Sequence, residues 1–324
     1  MIARRLTRTL LATLLLVALG DGASAQTYPS RPIRIVIPYN PGGVVDYVGR
    51  ALATQLGTEL GQTFVSENKP GAGGILGTDV VARERPDGYT LLIMDPAIVI
   101  NPTLQPIIPY DLFKQLDTLS IISSSPLVLV VTPELNVKTF AEFVAYGKAN
   151  PGKLNFASAG LGTTPHLAGE LFKQRTGIDA THVPYRGIAS SYADLMTNKI
   201  QFSISSIAGA ISFIADNRVI ALATTGATRA AVYPDKPTVE EAGLADFNVD
   251  LWLAVFAPVG IPADVRNKLL AAIAKVVGTE DFKTALGRVG AVPRGSSPEE
   301  GAAFVKSEFE KWKKIVVDSN IRDK

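Results

Sequence analysis

Three glycine-bearing turns offer the chemistry this chain can do. They read PYNPGGVVD at 38–46, NKPGAGG at 68–74 and SAGLGTTPH at 158–166. Each leaves or follows an apolar, strand-like run and opens a stretch of helical period. A strand, a tight turn and a helix N-terminus leave the first helical N–H groups without intrahelical partners, beside the positive end of the helix dipole. Such a turn suits an anion, either a phosphate or a carboxylate. Nucleotide loops show G-x-x-x-x-G-K-[ST] or G-x-G-x-x-G, and NPGGVVD is neither. The first and third turns hold equivalent places in two successive units, so a ligand clamped between the units meets one helix N-terminus from each side. That arrangement fits a small anion with a carboxylate at one or both ends. The candidate binding residues are Tyr39, Asn40, Gly42, Gly43, Val44 and Val45 on one side, and Ser158, Gly160, Thr163 and Thr164 on the other. The glycines of the middle turn equally fit a tight turn that needs positive φ.

The side chains around these turns narrow the chemistry further. His166 and His182 are the only histidines and there is no cysteine, which excludes multi-histidine and cysteine metal sites, thiol nucleophiles and structural disulfides. Ser158 and His166 suggest a hydrolase pair, but no G-x-S-x-G elbow exists and Ser158 is followed by Ala159 and Gly160. His166 falls in the first turn of an expected helix, where a bond to its own loop outweighs contact with a ligand. Asp46 stands where a helix begins and complements its dipole; the alternative is a partner for a ligand ammonium. Asp95, in LLIMDPAIVINP, ends a strand at the mouth of the first unit. A carboxylate there would repel an anionic ligand unless it caps the following turn. Arg186, in HVPYRG, ends another strand facing the same cleft and can pair with a ligand carboxylate or a surface acid. Neither a metal nor a cofactor is expected.

The elements that must position these residues alternate. IRIVIPY, VDYVGRALATQLGTELG, TFVSEN, GGILGTDVVARERP and GYTLLIMD form one β-α-β-α-β series, and a second starts at PLVLVVTP and runs to VIALATTG. This predicts two α/β domains, each a mainly parallel sheet flanked by helices. The strand DLWLAVFAP is expected to return to the first domain, with three C-terminal helices packed on it. The boundaries expected are residues 26–125 plus 253–324 for domain 1 and 126–252 for domain 2. Ahead of them, Arg4, Arg5 and Arg8 precede the apolar run Leu10–Leu19, and Ala23-Ser24-Ala25 offers a cleavage site. Residues 1–25 therefore read as a secretory signal, since the run is shorter than the roughly 20 residues of a bilayer span. Export without a lipobox cysteine places the mature chain in the periplasm, with full secretion as the alternative. Cleavage removes three arginines and Asp21, leaving 29 basic against 29 acidic side chains. A chain without net charge is a poor nucleic-acid partner.

At these turns the chain resembles the Bug family, the periplasmic solute receptors of tripartite tricarboxylate transporters. The matching stretches are YPSRPIRIVIPYNPGG, VSENKPGAGGILGTDVVARERPDGYTLL, NPGKLNFASAGLGTTPHLAGELFK, HVPYRG and WLAVFAPVGIP. They span essentially the whole mature chain. The resemblance implies a two-domain Venus flytrap, without catalysis, that closes over a small carboxylate held by the amides and hydroxyls of loops 39–46 and 158–164. It also implies docking to a membrane permease of one large and one small integral subunit, and the receptor itself is read as a monomer. Three positions depart from the family pattern. Val44-Val45 replace a hydroxyl pair after Gly-Gly, Met94-Asp95-Pro96 replaces a Ser/Thr-Gly-Thr, and Ser205 stands where an acid is frequent. Without that acid an α-amino group loses its partner, and the valines offer apolar surface. The expected ligand is a carboxylate with an apolar or aromatic body, of phthalate type, or else an aliphatic dicarboxylate. The competing readings are an exported hydrolase or isomerase using the same cleft, and a receptor that serves a sensor kinase.

Overall fold

The computed structural model describes residues 27–105, 107–318 and 321, so the expected signal at 1–25 lies outside the described residues. The first series is β1 (Ile33–Ile37), α1 (Val44–Leu60), β2 (Phe64–Asn68), α2 (Ile75–Ala82), β3 (Thr90–Met94) and α3 (Ala97–Leu104). A one-turn helix, α4 (Leu112–Gln115), leads into the long strand β4 (Leu116–Val131). The second series follows as α5 (Phe140–Ala149), β5 (Leu154–Ser158), α6 (Thr164–Thr176), β6 (Ala180–Pro184), α7 (Tyr192–Met196), β7 (Phe202–Ser206), α8 (Ile207–Ala215) and β8 (Ile220–Thr224). The chain ends through β9 (Asp250–Pro258), α9 (Ala263–Gly278), α10 (Glu280–Gly287), β10 (Val292–Pro293) and α11 (Pro298–Asp318).

The strands follow the order β2-β1-β3-β9-β4-β7-β5-β6, with β10 and β8 also on β4. β2-β1-β3 and β6-β5-β7 are parallel triplets, as the two series predict. β9 and β4 run antiparallel to their neighbours and join the triplets into one path. β9 pairs with β3 and so returns to the first series.

Period-2 alternation places the core on both faces of the strands. Ile33, Ile35 and Ile37 of β1, with Leu253, Val255 and Ala257 of β9, face a core closed by Val48, Leu52 and Leu56 of α1 and Leu269 and Ile273 of α9. Val36, Leu92, Trp252 and Phe256 face the opposite core, which continues through Leu127, Leu129 and Val131 of β4 to Phe143 and Phe172 in the second series. Trp252 and Trp312 are both buried, and their indole N–H groups both donate to Glu308, which lets a carboxylate lie inside this core.

β4 starts ten residues before the expected PLVLVVTP. Its first part, through Pro126, pairs with β9, and Leu127–Val131 pairs with β7 and β8. Pro126 has no N–H to give a ladder, and it sits where the pairing partner changes, a position that tolerates the missing donor. The Ser123–Ser125 run before it is buried; Ser124 Oγ donates to Asp250 Oδ2 (2.7 Å) and Ser125 Oγ to the Gly290 carbonyl (2.9 Å). α3 and α8 lie outside the expected helices: AIVINPTL is apolar on most sides and shows no helical stripe, whereas the short IAGAISFIA buries one side, Ile207 and Ala210, and exposes Ile211, Ser212 and Ala215.

Candidate functional site

The first turn is built by β1 ending on Pro38 and by Asp46 folding back on it. Gly42, at φ +93°, donates its N–H to Asp46 Oδ2 (2.9 Å), while Oδ1 receives Arg50 Nε (2.9 Å) and Asn68 Nδ2 (2.8 Å). Asn68 Nδ2 also reaches the Tyr39 carbonyl (2.9 Å), so the end of β2 fastens the turn. Burial works to raise the Asp46 pKa, but the bonds from Arg50, Gly42 and Asn68 prevail and hold it below the usual carboxylate range. Asp46 is therefore occupied as a first-turn acid. No side chain caps α1 at Gly43, and nothing lies within 4 Å of a Cβ built on Gly42 or Gly43, so the turn faces open space. Asn40, Gly42 and Gly43 are exposed, Val44 is half-buried, and Val45 lies in the core beneath α1.

The third turn is braced by the two histidines. Ser158 Oγ lies 2.7 Å from His182 Nε2 and accepts the Gly160 N–H at 3.1 Å. His166 Nδ1 accepts the Gly162 N–H at 3.2 Å, the loop bond expected of a first-turn residue, and this leaves the imidazole proton on Nε2. The two rings stack with centroids 4.0 Å apart, and Phe156 stacks on the other side of His182 at 4.8 Å. Burial, followed by the charge of Lys173, pushes His166 down to about 4; burial, followed by His166 and Lys173, pushes His182 down to about 3. Both rings are neutral at pH 7. Thr163 Oγ1 donates to the Gly160 carbonyl (2.7 Å). Thr164 Oγ1, by contrast, is buried at the N-terminus of α6 without a hydrogen-bond partner, and no side chain caps that helix.

The middle turn needs the conformational freedom of glycine. Gly71, Ala72, Gly73 and Gly74 all have positive φ, and a Cβ on Gly74 would collide with Met94 Cε. It nonetheless touches both series through Asn101 of α3, which sequence reasoning missed. Asn101 is 2 % exposed and donates to the Gly73 carbonyl (2.9 Å), and a Cβ on Gly162 of the third turn would lie 3.1 Å from Asn101 Oδ1. The only local signal was an Asn-Pro pair closing an apolar run.

Asp95 ends β3 and accepts from Ala97 N–H (3.0 Å), the capping role expected, and from Tyr39 Oη (2.7 Å). Ser205, fully buried, shares a 2.8 Å hydrogen bond with Ser203. Arg186 is exposed and its backbone carbonyl accepts from Ser190. The contacts thus bring Tyr39, Asp95, the middle turn and the third turn together, whereas Arg186 and Ser205 make their hydrogen bonds to Ser190 and Ser203, outside that set.

Residues 48–321 match the model of the tripartite tricarboxylate transporter family receptor. The chain belongs to that family. BugT of Bordetella pertussis is 34% identical over 301 residues, covering 92% of each chain. A solved structure of an R. palustris protein with adipate is 31% identical, with a TM-score of 0.84 over 91% of this chain and 99% of that one. MatC of Rhodopseudomonas palustris, solved with bound malate, is 30% identical, with a TM-score of 0.80 over 89% of this chain and 100% of that one. Membership makes the protein a periplasmic solute-binding receptor of the Bug type that works with a membrane transporter, and not an enzyme. The Ser158–His182 contact is accordingly a brace for the third turn: the serine is fully buried and the imidazole is packed between two rings. No helix among the described residues is long and apolar enough to cross a membrane.

Proposed function

We propose that the receptor captures a small carboxylate with an apolar body at the N-termini of α1 and α6. The observation that carries this is Thr164 Oγ1, a buried hydroxyl without a partner at an uncapped helix start. An unpaired polar group of this kind costs about 1–3 kcal/mol, which a ligand carboxylate would offset. Val44, half-buried beside the first turn, favours a phthalate-type acid, whereas Ser205 is fully buried against Ser203 and has no part in that preference. Val45 contributes its N–H only, since its side chain packs in the core. The second reading is an aliphatic dicarboxylate, favoured by the adipate and malate bound to two related structures.

Delivery goes to a permease of one large and one small subunit, and the receptor acts as a monomer after cleavage behind Ala25. Domain 1 comprises residues 26–125 and 253–324 and domain 2 residues 126–252, with the hinge where β4 exchanges β9 for β7 and β8 near Pro126. Thermal-shift measurements on the mature protein with terephthalate, adipate, malate, citrate and glutamate test the ligand class. A ligand that binds only the folded state raises the melting temperature, and a shift with citrate or glutamate alone would refute the apolar-body reading.

A further inference from the structure

Asp95 is a buried carboxyl that anion capture leaves without a use. It is 8 % exposed, and both of its protein hydrogen bonds, from Tyr39 Oη and Ala97 N–H, fall on Oδ1. The Tyr39 hydroxyl lies 3.4 Å from the position of a Cβ on Gly74, so Asp95 stands in the same wall as the first and middle turns. We propose that Asp95 is a specificity residue whose carboxyl shares one proton with an anionic oxygen of the bound solute, so that the solute is taken up together with a proton. This rests on the carboxylate-receptor reading above.

The physical basis is the placement of a second negative charge beside a desolvated acid. Burial has already raised the Asp95 pKa to about 6, with the bonds from Tyr39, Ala97 and its own backbone N–H opposing it and no cation among the causes. The other ionisable groups around it are occupied or neutral. Tyr39 is pushed well above its ordinary value by burial and then by Asp95, and Tyr110 behind it is pushed up to about 12 by burial. Asp79 of α2 is paired with Arg83, and Arg34 and Lys69 both pair with Glu67. Asp250 of β9 accepts from Ser124, and Glu308 of α11, which packs on α3, is held by two indoles and Lys311. His166 and His182 beside the third turn are uncharged at pH 7. Two carboxylates sharing such a site cannot both stay ionised, and the weaker acid keeps the proton. If a bound carboxylate raises Asp95 by one or two further units, its protonated fraction at pH 7 climbs from roughly a tenth to between about half and nine-tenths. A ligand ammonium at the same place would keep Asp95 ionised, which makes the residue a discriminator between diacids and amino acids.

Calorimetry of terephthalate and adipate binding at pH 7, in phosphate and in Tris, reads this directly, because the two buffers differ in ionisation enthalpy. We expect uptake of about 0.4–0.8 proton per ligand in the wild type, and affinity that rises roughly 8- to 45-fold between pH 8 and pH 5. D95N, whose Oδ1 still accepts from Tyr39 and Ala97, should bind with no proton uptake and a flat pH profile. Identical heats in both buffers for the wild type, or equal uptake by D95N, would overturn the role of Asp95 while leaving the receptor reading in place. Glutamate binding tighter than either diacid without proton uptake would overturn it as well. No binding by any carboxylate of the panel would remove the receptor reading and this inference together.

Discussion

Replacing Thr164 by valine should move stability and affinity in opposite directions. The hydroxyl is buried and unpartnered in the unliganded chain, whereas the methyl of valine fills nearly the same volume. Removing an unsatisfied buried hydroxyl relieves a desolvation cost of about 1–3 kcal/mol. At roughly 2–4 °C per kcal/mol for a protein near this size, the unliganded T164V melting temperature should rise by a few degrees. A hydrogen bond to a carboxylate is worth about 1.5–3 kcal/mol. At about 1.4 kcal/mol per tenfold, the dissociation constant for the ligand identified by thermal shift should weaken about 10- to 150-fold. T163V is the control: Thr163 already donates to the Gly160 carbonyl, so its loss should destabilise the unliganded protein by about 0.5–1.5 kcal/mol. Scanning calorimetry gives the first quantity and titration calorimetry the second. A T164V protein that is less stable than the wild type yet binds with unchanged affinity would place the carboxylate elsewhere and refute the helix-terminus site.

Three further outcomes are expected. Small-angle scattering should show a more compact liganded form, since two turns from different domains close on one anion; equal radii at saturation would remove the hinge. V44S should weaken terephthalate binding and strengthen that of a hydroxylated acid such as citrate in side-by-side calorimetry, and unchanged selectivity would show that Val44 does not face the ligand. His166 and His182, with folded pKa values of about 4 and about 3 against an ordinary 6.5, contribute stability that is fully present above pH 6.5 and lost as pH falls towards 4 and 3. Denaturant unfolding of H182Q should therefore lose less stability between pH 6.5 and pH 4 than the wild type, and parallel curves would contradict a neutral, braced pair.

Much of the fold was legible because its signals are local. Strands such as IRIVIPY and DLWLAVFAP, the Thr279 and Ser297 hydroxyls that accept from the first turns of α10 and α11, and a strand–glycine–helix order repeated in two series all follow from neighbouring residues. The same holds for Asp46 and His166, whose first-turn bonds to Gly42 and Gly162 span four residues. Other features depend on groups far apart in the chain. The Ser-rich lead of β4 is a strand because β9, some 130 residues later, offers it a ladder, and α3 is a helix because packing on several sides overrides a missing amphipathic stripe. Ser158 pairs with His182 across the β5–β6 register and not with His166 in its own loop. Asn101 meets both the middle and third turns only once the two series are folded together. By itself, then, the sequence determined where strands end in glycine turns and helices begin, since backbone conformation and helix starts are written within a few residues. Tertiary structure alone decided which groups around those turns stay unpaired, because burial and long-range partners leave Thr164 without a hydrogen bond and leave Asp95 desolvated beside Tyr39.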